Sequence, residues 1–123
     1  MGISTDKAAK PVGAYVHAKE VGDLIFLSGV GPRHPKTDEI PEGIEAQTHA
    51  TFSNVMAILE AANLDMSNVV DIMVFLTNMN RDFKKFNSIY AEYLEGYEAT
   101  RTTVEVSSLP TQISVEFKVV AKK

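Results

Sequence analysis

The hydrophobic period of the chain changes repeatedly, and that change constrains the fold more than any other feature. Ile44, Thr48, Phe52, Val55, Leu59 and Ala62 recur at steps of three or four, the spacing of one buried helix face. Directly downstream, VVDIMVFLTN (69–78) is a dense β-branched and apolar run suited to a central strand. Phe83, Phe86, Tyr90 and Tyr93 then return to helical spacing, with Asn80 as the expected cap and Asp82 near the positive helix end. Afterwards the period drops to two. In ATRTTVEVSSLP (99–110), Arg101, Thr103 and Glu105 alternate with Thr102, Val104 and Val106; in ISVEFKVVA, Ser114, Glu116 and Lys118 alternate with Val115, Phe117 and Val119. Two periods require two kinds of layer, so helices must pack on a sheet.

Upstream, AYVHA (14–18) and DLIFLSG (23–29) read as two strands with Val21 and Gly22 near their turn. The Gly- and Pro-rich GPRHPKTDEIPEG (31–43) reads as a loop, and Asn63 should end the first helix. The expected order is two strands, helix, strand, helix, two strands: an α+β sandwich with both helices on one sheet face. On that reading Arg101, Thr103, Glu105, Glu116 and Lys118 lie on the face without helices. The strands are apolar for a solvated face, which predicts burial against neighbouring copies, with polar clefts at the seams.

With 123 residues the chain can bury one sizeable core, so a single domain spanning 1–123 is expected. No apolar run approaches the roughly 18 residues of a membrane span. MGISTDKAAKPVG has no basic segment leading into an apolar one, and Asp6 stands where a myristoylation signal prefers Ser or Thr. The absence of cysteine removes disulfides, thiolate metal sites and a cysteine nucleophile together. A cytoplasmic protein is expected. Its formal charge is -4 and its twelve Lys and Arg residues are scattered, which argues against a nucleic-acid surface. His17, His34 and His49 lack the spacing of metal ligands, and no phosphate loop, GxGxxG or nucleophile elbow occurs.

Two residues remain as chemical candidates. Arg101 either pairs with a carboxylate such as Glu105 or offers its planar fork to a bound carboxylate. Glu116 is either solvated or, against an apolar wall, a proton carrier between water and a substrate nitrogen. Tyr15 fits the core, and Asn87 fits a helix surface. Residue chemistry alone leaves these alternatives open.

VGDLIFLSG with a following PxT loop, VVDIMVFLTNM, FNSIYAEYL and RTTVEVSSLP followed by VEF together resemble the Rid/YjgF family of enamine and imine deaminases. The resemblance runs from about Pro11 to Ala121, and RTxVEVxxLP is its most specific part. It implies a chorismate-mutase-like α+β fold and a homotrimer with active sites in clefts between subunits, using no metal and no organic cofactor. By the same resemblance Arg101 clamps the substrate carboxylate and Glu116 positions or activates the attacking water. Tyr15, Ser28 and Asn87 fall on substrate-binding positions, and Thr103 stands where many members carry cysteine. Two departures, SGVGPR after the second strand and YVH for the usual YxQ, resemble the 2-aminomuconate deaminases of aromatic degradation. A second carboxylate on that substrate gives Arg33 a role as a second cation, and His17 one as a hydrogen-bond or proton donor. The alternatives are a general deaminase of 2-aminoacrylate and similar imines, and a non-catalytic trimer that binds a small ligand.

Overall fold

The computed structural model describes residues 1–123. Six strands, β1 (Gly2–Ile3), β2 (Ala18–Val21), β3 (Leu24–Leu27), β4 (Val69–Leu76), β5 (Thr100–Glu105) and β6 (Val115–Lys122), form one sheet in the order β1-β2-β3-β6-β4-β5. All neighbours are antiparallel except β4 and β5, which the crossover helix α2 (Met79–Leu94) connects in parallel. Helix α1 (Ile44–Ala61) covers the same face as α2, and a short 3₁₀ turn at Met66–Asn68 leads into β4. The α+β sandwich with two helices on one face is as expected.

The alternation of β6 explains how that layer is held. Val115, Phe117, Val119 and Ala121 are fully buried under the helices. Phe117 meets Phe52 of α1 and Phe86 of α2 edge-on, with ring centroids at 4.9 and 6.1 Å. One aromatic side chain from each element thus locks both helices to the central strand. Neither helix is long and apolar enough to cross a membrane.

Four expectations are corrected. The strand expected over 14–18 begins only at Ala18, because the Tyr15 amide turns back onto the Gly13 carbonyl at 3.0 Å and the chain is bent there. The short β1, two residues long, pairs beyond it through Gly2 with Lys19. The last strand begins at Val115 rather than Ile113, whose amide turns back onto the Thr111 carbonyl at 2.8 Å. Asn78, not Asn80, caps α2: its backbone is still non-helical and its Oδ1 accepts the Arg81 amide at 3.0 Å, whereas Asn80 is already helical.

The fourth correction matters for function. Strand register aligns Arg101, Thr103 and Glu105 with Ile72, Val74 and Leu76, the β4 residues that face the helices. They therefore lie on the helix-bearing face at the sheet edge, while Glu116 and Lys118 alternate away from Val115 and Phe117 onto the other face. A parallel neighbour inherits the face of its aligned partner, so the direction of the β4–β5 pairing decides the matter. The sheet face without helices instead carries Phe26, Met73, Phe75, Val104 and Val120, with Phe26 37% and Val104 36% exposed.

Candidate active site

The residues singled out in the sequence gather in two places. Around Glu116, a cavity of about 70 Å³ lies between the 8–12 segment, the 28–33 loop and β6, with Tyr15, His17, Ser28 and Arg33 on its wall. Near Arg101, a shallow groove at the sheet edge is lined by Thr103 and the first turns of α2. The two share no lining residue.

Glu116 lies against backbone. A Cβ added to Gly29 would stand 3.0 Å from one carboxylate oxygen and 3.1 Å from its carbon, so only glycine lets the loop approach the carboxylate this closely. The loop is pinned there by the reciprocal bonds of Val30 and Phe117, both 2.8 Å. Burial pushes the Glu116 carboxyl above its ordinary value of 4.5, and no neighbouring cation opposes that push. A carboxyl so placed can exchange a proton closer to neutrality than a solvated one. Gly29→Ala is therefore expected to displace the carboxylate and lower the rate of any reaction that uses it by about 10–100-fold. Unchanged turnover with an unchanged melting temperature would count against that role.

The remaining residues of this cavity are tied into its frame. Ser28 Oγ donates to the Val16 carbonyl at 2.7 Å, and the Tyr15 hydroxyl accepts the Val12 amide at 3.3 Å. His17 is buried. Its Nδ1 accepts the Thr5 amide at 3.2 Å, which fixes the tautomer, and its Nε2 donates to the Ala9 carbonyl at 2.7 Å. Both ring nitrogens thus fasten the N-terminal segment that forms one cavity wall. Arg33 donates from Nη1 to the Asp38 carbonyl at 3.4 Å within its own loop and also borders an outer groove beside α1.

Sequence reasoning missed Asn54. It lies in α1 between the core positions Thr51 and Val55, and its side chain is 3% exposed. Nδ2 donates to the carbonyls of Gly31 and Arg33 at 2.9 and 2.8 Å, and Oδ1 accepts the Ala9 amide at 3.2 Å. One amide therefore binds both cavity walls to the helix. An amide inside an apolar stripe was the available signal, because a buried polar group requires partners.

At the other place, Arg101 makes no salt bridge with Glu105. Glu105 accepts the Met79 amide at 2.7 Å, satisfying a free donor at the start of α2. Arg101 Nη1 donates to Asn87 Oδ1 at 2.8 Å, and its guanidinium lies over the Tyr90 ring. Thr103 Oγ1 and the Tyr90 hydroxyl are buried without hydrogen-bond partners. No three His, Asp or Glu side chains converge as metal ligands would.

The chain as a whole has counterparts among known proteins. The family model described as Endoribonuclease L-PSP matches residues 5–123. A RutC family protein of Saccharolobus solfataricus is 41% identical, with 98% of this chain and 96% of that one covered. A putative reactive intermediate deaminase, TdcF of Escherichia coli, is 34% identical over 97% and 94% of the two chains. The crystal structure of E. coli TdcF with bound serine superposes with a TM-score of 0.93 at 32% identity, covering 100% of this chain and 98% of that one. RidA from the Antarctic bacterium Psychrobacter sp. PAMC 21119 gives 0.95 at 36% identity, over 100% and 99%. A fold shared end to end at these identities, together with the RTxVEVxxLP segment that carries Arg101, places this chain in the Rid/YjgF family.

Proposed function

We propose that the protein hydrolyses the C=N bond of a carboxylate-bearing imine, the tautomer of an enamine, giving a 2-oxo acid and ammonia. The observation that carries this reading is a guanidinium at Arg101 with no carboxylate partner and an unopposed half-buried carboxyl at Glu116, held on opposite faces of one sheet. The first group suits a substrate carboxylate. The second suits a water molecule. As the water oxygen bonds to the imine carbon, Glu116 takes its proton and the C=N electron pair moves to nitrogen, which is protonated. Glu116 returns that first proton to this nitrogen, then takes the hydroxyl proton of the carbinolamine and delivers it to the amino group, so that the C–N bond breaks and ammonia departs as the C=O forms. Imines hydrolyse readily unaided, so positioning and one acid–base group are sufficient catalysis.

If Arg101 and Glu116 act on one substrate, their opposed faces favour a second copy of the chain. We propose a homotrimer in which Arg101 and Asn87 of one protomer meet Glu116, Ser28 and Tyr15 of the next. The apolar residues on the open sheet face support this, and so does the Glu116 cavity, whose 70 Å³ falls below the roughly 300–1,000 Å³ of ordinary ligand pockets.

Within the substrate class we propose 2-aminomuconate, because Arg33 on the cavity wall offers a second cation to a second carboxylate. The small cavity favours a compact imine with one carboxylate, such as 2-aminoacrylate, as the second reading. RNA is disfavoured by the net charge of -4. The test is ammonia release from freshly generated 2-aminomuconate and 2-aminoacrylate, offered separately and counted only above the uncatalysed rate. Preference for the first assigns the dicarboxylate; equal or better use of the second assigns general imine clearance. No acceleration of either rejects the deaminase reading.

A further inference from the structure

Helix α2 turns Phe83, Phe86, Asn87 and Tyr90 toward the edge strand β5, where Arg101 stands. The guanidinium carbon lies 4.6 Å from the Tyr90 ring centre and 5.8 Å from each of the Phe83 and Phe86 centres. Aromatic faces attract a cation without consuming its in-plane N–H donors. Asn87 takes one of those donors at 2.8 Å, and the four salt bridges of the chain, Lys7–Glu60, Arg81–Asp82, Lys85–Glu45 and Lys123–Glu20, leave Arg101 out. The cation is thus held in place while most of its fork stays unpaired. A surface arginine seldom escapes a carboxylate partner and keeps a fixed geometry at once, since its side chain has much rotamer freedom to lose.

Resting on the proposed carboxylate-binding role of Arg101, we infer that Tyr90, with Phe83 and Phe86, is a positioning residue whose ring face presets the Arg101 fork for a carboxylate. The hydroxyl of Tyr90 is buried and meets no hydrogen-bond partner, so the ring is what it contributes. Leucine stays apolar but is smaller and has no π face. Phenylalanine keeps the face.

Tyr90→Leu is expected to raise KM for a carboxylate-bearing imine about tenfold with kcat within about twofold, while Tyr90→Phe stays within about twofold in both. With the methyl ester of the same imine, Tyr90→Leu should match the wild type. A second readout does not depend on turnover: the Nε–H signal of Arg101 in ¹⁵N-labelled protein, titrated with pyruvate. In wild type and Tyr90→Phe it should be sharp and shift on addition; in Tyr90→Leu it should broaden and pyruvate should bind about tenfold more weakly. If no imine is accelerated yet pyruvate binding follows this order, the deaminase reading fails and the shelf stands. Equal pyruvate affinity in wild type and Tyr90→Leu overturns the shelf, as does no pyruvate binding at all or an equal loss in Tyr90→Phe. Should Tyr90→Leu fail to fold, Phe83→Leu at the half-buried margin of the same shelf carries the comparison.

Discussion

Glu116→Gln is expected to reduce imine hydrolysis by about 10²–10⁴-fold, the usual contribution of a positioned acid–base group, while the protein stays folded. Glutamine fits the same space beside Gly29 but cannot take a proton from water. The variant should also differ from the wild type in stability with a definite sign. Burial raises the folded-state pKa of Glu116 above its ordinary 4.5, so the ionised form is less favourable in the folded protein than in the unfolded chain. Its stability contribution is therefore highest below 4.5 and falls as pH rises from there through the raised folded value. Glutamine has no charge to bury. Denaturant midpoints should thus agree for the two proteins at acid pH, and the variant should be the more stable near neutrality. A less stable Glu116→Gln at neutral pH would show that the carboxylate is a structural partner. The rate constant kcat of the wild type should fall below the raised pKa, where the base is protonated.

How much of this was legible in the sequence depended on which interaction decided each feature. The helices and central strands were legible because their side chains repeat at helical or strand periods, as in Ile44 to Ala62 and Val115 to Val119. The strand placed over 14–18 was not, because a local hydrogen bond at Gly13 and Tyr15 overrides an apolar pattern that fits a strand equally well. Asn80 was an equally good cap by residue type, and only backbone conformation selects Asn78. The face of Arg101 was beyond reach for another reason. Alternation shows which residues of one strand share a face, but which face that is follows from the partner strand and its direction, here the β4–β5 pairing. The motif residues were found; their grouping into two separate places was not. The role of Asn87 shows the same limit, since a helix-surface asparagine becomes an anchor only once β5 brings Arg101 to 2.8 Å from it.

Mixing two inactive variants should restore activity. Arg101→Ala alone is expected to lose at least about 100-fold in kcat/KM, because a charge-assisted bidentate contact to the substrate carboxylate is lost in both binding and positioning. Glu116→Gln alone is expected to lose about 10²–10⁴-fold, as argued above. Arg101 and Glu116 lie on opposite faces of the sheet, so the proposed site would draw one from each of two chains. If the variants are unfolded together, refolded at equal amounts and allowed to assemble at random, a given site receives an intact Arg101 with even odds and an intact Glu116 with even odds. Roughly a quarter of the wild-type activity should then return. Variants refolded separately and mixed without subunit exchange should remain inactive, which excludes trace contamination as the source. Sites built within one chain would give a different result, since neither variant chain carries both groups and no mixture could recover turnover. Absence of recovery in assemblies shown to contain both chains would therefore overturn the shared site, whereas recovery near a quarter would locate catalysis at the seam between protomers.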